Sequence, residues 1–380
     1  MPGGGVSFLV IGGAQTEVHE RPGGASFAPF KAREVDMQGL RLGVHRPEAY
    51  ANGRPAETRW RFRFTVLVAG VTVLLISWGG FVTSIEAGMA VPDWPQTFGS
   101  WNPVNPIEGW WRSTPLLAEH GHRILGQVVG ALTLALAGWT WWKDPRRWMR
   151  RLSGGALLLV IVQGVLGGLR VTENSLALAA VHACTAQVFF SLLVAMALFT
   201  SRPWIAPSFA LARETPAGPS TAPAKRHTLV KLLLGTGVAL YGQIVLGALL
   251  RHFGRGIGQT FALVHIGGAF VVTALVLASF VYAEKHFDHH APLRRGAWTM
   301  AGAVFLQFAL GLAAYLVLLN EMARSLRSTL QIGLTAGHLV VGALLMAATV
   351  ATALLAVRAE AAPVGEGTTP TDASALRERA

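Results

Sequence analysis

Long apolar runs separated by short polar breaks fill the chain from residue 64 to residue 357. A helix needs roughly 20 apolar residues to cross a bilayer, and by that measure the runs predict eight membrane spans. They are expected at 64–85, 117–142, 152–169, 176–199, 229–250, 260–283, 296–319 and 329–357, the third being the shortest. The stretch VSFLVIGGA near the N-terminus is too short to span, and no basic region precedes it. Span one is therefore expected to act as the insertion signal, without cleavage. Residues 1–63 read as a largely disordered cytoplasmic extension and 358–380 as a disordered cytoplasmic tail. A Pro- and Ala-rich stretch, 201–228, reads as a cytoplasmic linker.

The runs repeat. QGVLGGL at Gln163 in span three returns as QFALGLA at Gln307 in span seven, 144 residues on. His122 and His265 are 143 apart, and His182 and His338 are 156 apart. A further copy, QIVLGAL at Gln243 in span five, answers to SWGGFVT in span one. The expected fold is therefore an all-α integral membrane protein, with eight transmembrane helices in two pseudo-symmetric four-helix bundles, 64–200 and 229–357.

Composition supports a membrane chain and charge orients it. Of 380 residues 52% are hydrophobic and 14% charged, against roughly 25% charged in a typical soluble protein. The net charge of +12 could suggest nucleic acid, but its placement decides otherwise. On one side of the spans lie 24 Lys and Arg residues, on the other only Arg112, Arg170, Arg251, Arg255, Arg324 and Arg327. The positive-inside rule places both termini in the cytoplasm, so a multi-pass protein of the inner (plasma) membrane with no nucleic-acid partner is expected. One cysteine, Cys184, excludes a disulfide framework and any cysteine-built metal site. It reads as a small packing residue.

Chemistry enters with four histidines. His122, His182, His265 and His338 occur once each on spans two, four, six and eight, roughly 8 to 14 Å below one face at 1.5 Å per residue. An ionisable side chain at that depth is costly and normally faces a bundle interior with a partner. Two imidazoles from facing helices can take the axial positions of a haem iron, and the small neighbours in VHACTA, VHIGGAF and AGHLVVGA leave room for a flat macrocycle. Hydrogen bonding between helices is the plainer alternative. Zinc is disfavoured, since no cysteine or repeated carboxylate accompanies the pairs.

The halves differ. Only the first carries EHGHR, which sets Glu119 one turn from His122 on a single helix face. A carboxylate there can accept a proton or stabilise a developing cation; alternatively it pairs with Arg123. Arg123 could equally hold a haem propionate. His120 lies about 200° round the helix from His122 and points elsewhere. The loop EAGMAVPDWPQTFGSWNPVNPIEGWW precedes this span. Its three acids, four prolines and five aromatics suit either an interfacial belt or a lid over the first half. The matching stretch of the second half, 251–259, reads as a short loop.

GGFVTSIEAGMAVPDWP, EHGHRILGQVVG, QGVLGGL, VHACTAQVFF and QIVLGALLRH together resemble the haem A synthase family, the cytochrome oxidase assembly proteins COX15/CtaA. The resemblance covers roughly residues 64–357. It implies a first bundle that holds a substrate haem and a second that holds a permanent haem b. It also implies oxidation of the C8 methyl of haem o to a formyl group, giving haem A for terminal oxidases. Carried over by motif, His122 and His182 flank the iron of the substrate haem, Glu119 is the catalytic carboxylate, and His265 and His338 ligate the iron of haem b. Implied partners are the lipid bilayer, haem o, haem o synthase, cytochrome oxidase subunits and an electron acceptor. The chain departs from the pattern in three places. Gln96 and Thr97 follow Asp-Trp-Pro where many members have a cysteine pair nearby, no Arg follows His265, and the fifth-to-sixth loop is short. Two other functions fit the same histidines: a non-catalytic bis-histidine dihaem cytochrome, and a haem-handling assembly factor or transporter. Glu119 and the long loop favour the enzyme.

Overall fold

The computed structural model describes residues 55–205, 210–211, 222–320 and 328–361, all within one unit spanning 46–380. Eight helices among them are long and apolar enough to cross a membrane. Spans one to four are Arg59–Ser84, Thr114–Lys143, Arg147–Thr172 and Leu176–Thr200. Spans five to eight are Ala224–Phe253, Thr260–Phe287, Ala291–Leu319 and Thr329–Arg358. All eight predicted spans are present. Residues 1–54 and 362–380, where disorder was expected, lie outside the described residues.

Spans one, three, five and seven each begin five residues before the expected starts, so helix from Ala222 takes in the end of the expected 201–228 linker. The first helix begins at Pro55, because Arg61 is buried and ion-paired with Asp144 beyond the end of span two. At 251–259, where a loop was expected, helical backbone runs unbroken from Ala222 to Phe287. The chain nevertheless doubles back there. A side-chain carbon on Gly247 would lie 3.0 Å from the His265 ring, whereas a straight helix would hold those residues about 27 Å apart. Thr236 Oγ1 and Ser279 Oγ, 3.1 Å apart, zip the same hairpin lower down.

The helices start where the sequence offers caps. Ser175 and Ser328 accept the backbone N–H of Leu178 and Gln331, and Pro115 and Pro292 stand in first turns, where a missing N–H costs nothing. Within the spans, hydroxyls such as Thr72, Thr133 and Thr349 bond the carbonyl one turn back, which leaves no bare donor facing hydrocarbon.

Two cores follow the two halves. Phe189, Phe190, Leu193 and Met196 of span four pack with Val68, Val129 and Met149 of the first three spans. Leu233, Val276, Met300 and Leu345 join spans five to eight. Ala343 and Ala347 of span eight reach into the first core, since small residues let helices approach closely. Spans one, four and eight are the most buried, so they form the seam between halves. Cys184 is buried at that seam with Ala180, Ala248 and Tyr241, a packing residue as expected.

Candidate functional site

Each of the four histidines lies five to nine residues into its helix, at the end that carries the long loop. The same local device seats all four. A side-chain carbon on Gly79, Gly167, Gly247 or Gly311 would meet His122, His182, His265 or His338 respectively, at 3.0, 3.4, 3.0 and 2.8 Å. The odd-numbered span thus supplies a glycine on which the ring of the next span rests. All four side chains are half-buried. His120 is fully buried, edge-on to Trp110 with ring centres 5.1 Å apart. It belongs to the loop's packing, which agrees with its opposite helical angle.

His265 and His338 have centres 6.3 Å apart and planes at 71°. His265 and His338 would be the residues to hold a haem iron in the second half, each through a ring nitrogen. His122 and His182 are electrostatic neighbours in the first half. Among the described residues no group of three or more metal-ligating side chains forms. A macrocycle that fills four equatorial positions needs only a pair, so these residues fit a haem.

Glu119 is buried and fully engaged. One carboxylate oxygen accepts the Val91 backbone N–H at 2.9 Å, and the other accepts Arg123 Nη2 at 3.0 Å. Arg123 also donates to the carbonyls of Asp93 and Val91, at 2.7 Å each. Its donors therefore go to the loop and to Glu119. Both residues hold the Pro-Asp-Trp-Pro segment down over span two.

Further fastenings show that this loop is a docked element. Asp93 accepts the N–H groups of Phe98 and Gly99, and Thr97 pairs with Ser100. Burial raises the Asp93 carboxyl pKa, but these backbone bonds outweigh it and leave it below the ordinary range. Arg170 of span three donates to the Gly88 carbonyl, and the Trp94 ring lies against Gly168, where any side chain would collide.

Sequence reasoning missed three parts of this arrangement. The seating glycines carried a signal: Gly167, Gly247 and Gly311 each stand four residues after a glutamine of the repeat. Arg170 was read only as a charge on the loop side. Arg251 of span five donates to Gly80 O and Ser84 Oγ of span one, both at 2.8 Å, and Ser84 lies 3.1 Å from Thr335 of span eight. Such a clasp between distant spans has no local signature.

Comparison with known proteins identifies the family. Residues 62–265 match the family model described as cytochrome oxidase assembly protein, COX15-CtaA. A protein named "Heme A synthase" from Methylobacterium sp. (strain 4-46) is 26% identical over 373 residues, covering 81% of this chain and 98% of the relative. One of the same name from Symbiobacterium thermophilum is 28% identical over 280 residues, 66% of this chain and 85% of the relative. A third, from Alkalihalophilus pseudofirmus, is 35% identical over 116 residues, 30% of this chain and 37% of the relative. With half the chain matched to the family, and the matched half containing the docked loop and three of the four seated histidines, the chain belongs to the COX15-CtaA family of cytochrome oxidase assembly proteins.

Proposed function

We propose that the chain is a haem A synthase, oxidising the C8 methyl of haem o to a formyl group. The observation that carries this reading is an asymmetry. Both halves seat a histidine pair, but only the first adds a carboxylate one turn from a ring and covers it with a fastened loop. In this reading His122 and His182 hold the substrate haem, and His265 and His338 hold a resident haem b. When bound, a bis-histidine haem b supplies one-electron redox chemistry. Glu119 is the catalytic carboxylate. As an ionised acceptor it stabilises positive charge that develops at the methyl carbon and takes up the released proton. Arg123 and Val91 N–H aim it, and Arg123 acts by positioning Glu119 and the loop more than by holding a propionate. The docked loop limits water at the reacting edge. The protein would sit in the inner (plasma) membrane with both termini cytoplasmic, receive haem o from its synthase, pass product to oxidase subunits and use an electron acceptor outside this chain.

The experiment is Glu119→Gln, which keeps the volume and removes the charge. The ratio of haem A to haem o is measured in membranes at equal protein level. The expected outcome is accumulation of haem o or a hydroxylated intermediate, with the rate down by about 10²- to 10³-fold. One observation favours a second reading, a non-catalytic dihaem cytochrome: Glu119 is already satisfied by the loop. A wild-type ratio in the variant would support that reading and defeat the synthase role of this residue.

A further inference from the structure

The first half supplies counter-charges to its inner cations. Arg61 and Arg146 pair with Asp144, Arg123 pairs with Glu119, and Glu119 also acts on Arg170. Arg251, half-buried near the loop end of span five, has no such neighbour. Its Nη2 donates to Gly80 O and Ser84 Oγ of span one, at 2.8 Å each. Both acceptors are neutral, and among the described residues no carboxylate pairs with Arg251 or acts on its charge. A guanidinium has five N–H donors, and these two bonds leave three without a partner among the described residues. A cation inside a span is costly and normally has an anionic or carbonyl partner for each of its donors. The place of Arg251 indicates what would complete the set. Gln243, Gly247 and Arg251 recur every four residues, hence on one helix face. On that face Gln243 bonds the His265 carbonyl at 2.6 Å and Gly247 seats the His265 ring. Arg251 follows one turn nearer the loop. It acts electrostatically on His338, and its acceptor Ser84 lies 3.1 Å from Thr335, one turn before His338 on span eight. The guanidinium thus stands beside the second pair of rings, on the loop side.

A haem carries two propionate carboxylates on one edge, and burying them calls for a cation. The planar N–H fork of arginine matches a carboxylate, which makes it the better basic residue for the task. On span six Ile266 follows His265, where span two has Arg123 after His122, so a cation for this half has to come from another helix. We propose that Arg251 binds a propionate of the haem held by His265 and His338, through the N–H groups that Gly80 and Ser84 do not engage. The proposal rests on the reading that this pair binds haem. It also links the two halves. The Gly80 carbonyl that Arg251 grips is next to Gly79, on which the His122 ring rests. A haem carboxylate on Arg251 would therefore steady the helix that seats a ring of the first half.

The test compares protohaem with its dimethyl ester, which has the same iron and macrocycle but no free carboxylate. Each is titrated by absorbance into the full chain in detergent. A His122→Ala, His182→Ala background confines bis-histidine ligation to the second pair. With Arg251 intact, protohaem should bind about 10- to 100-fold more tightly than the ester, the worth of a charge-assisted hydrogen bond. Arg251→Gln should weaken protohaem alone and bring the two affinities together. Arg251→Lys keeps the charge without the fork and should retain only part of the difference. Ser84→Ala loosens the clasp and should leave the ratio of the two affinities as it was. Equal affinities with Arg251 intact would overturn the proposal before any variant is made. So would an unchanged ratio in Arg251→Gln, which would show that the residue serves the clasp between spans only. If that variant does not fold, Arg251→Lys is read in its place. In each of these cases a low-spin spectrum with the ester leaves the haem reading standing. A background chain that binds neither compound would overturn that reading as well.

Discussion

The two halves share a hairpin plan and fasten it differently. At the end opposite the long loop, the first half closes on Asp144, a carboxylate with no exposed surface. It accepts Arg61 Nη1 and Arg146 Nη2, both at 2.6 Å, and its backbone carbonyl accepts Arg150 Nε at 2.6 Å. Arg146 also donates to the Phe199 carbonyl. Four spans are thereby tied to one anion. Among the described residues the second half has an exposed counterpart, Arg294 and Glu284 at 3.3 Å, the buried cap His290, and Arg226, which donates to the carbonyls of Val357 and Ala359 at 3.4 Å each. At the loop end Glu119, Arg123 and Arg170 pin the loop of the first half. Among the described residues, the first half is thus tied through a buried anion at one end and a fastened loop at the other, and the second through exposed or longer contacts.

Removing the central anion should give the largest effect. Asp144→Ala leaves Arg61 and Arg146, each with a side chain only 9% exposed, without their buried counter-charge. Breaking such a pair costs about 3 to 5 kcal/mol. Thermal unfolding in detergent should show a large loss, with the first half's haem released first. Glu284→Ala removes the half-exposed pair and should cost about 1 kcal/mol or less. Equal losses from the two variants would break the comparison.

Much of this was legible in the sequence, for reasons that are local. The spans are readable because the bilayer demands about 20 apolar residues, and the ring positions because a lone histidine in such a run stands out. The repeat made pairs of them. The clamp at Asp144 was not legible, since Arg61 and Asp144 lie 83 residues apart and either charge alone reads as a topology signal. The first helix began earlier than expected for the same reason. At 251–259 the break between two apolar runs suggested a loop, yet backbone geometry there stays helical through the reversal. Glu119 was found as a carboxylate beside a ring; that it also fastens Val91 across 28 residues could come only from the packed structure.

An intermediate effect is expected at the seats of the rings. Gly311→Ala would place a methyl 2.8 Å from a His338 carbon and 3.1 Å from Nδ1. Because Gln307 holds that ring, it cannot yield freely, and the overpacking should cost about 1 to 3 kcal/mol. Gly167→Ala brings the methyl only to 3.4 Å from His182, an ordinary contact. The first variant should lower the melting temperature in detergent and the second should leave it nearly unchanged. The reverse ranking would show that the spacing between glycine and ring does not set the cost.

The smallest effect is a difference in acid sensitivity between the two clamps. His290 is buried at the start of span seven, where its Nδ1 accepts the Leu293 N–H at 3.4 Å. Burial pushes its pKa below 6.5, the nearby His289 adds to that, and a backbone hydrogen bond opposes it. The positive end of the helix also disfavours an imidazolium, by about 0.3 to 1 kcal/mol. Because the folded pKa is the lower one, the unfolded chain binds more protons in the window beneath 6.5, and stability rises with pH there. The contribution is complete above about 6.5 and is lost as pH falls toward the folded value. Asp144 behaves differently. Burial raises its pKa, but the hydrogen bond and charge of Arg146, with Arg61, outweigh that and hold it below the ordinary carboxylate value. Its contribution is intact above about pH 4 and declines only as pH falls through that lowered value. Between pH 7.5 and 5.5 the first clamp should therefore be constant while the second weakens. His290→Asn keeps a cap that does not titrate, so its melting temperature should depend less on pH across that interval than the wild type's. Identical slopes would show that the acid response of the second half arises at another group.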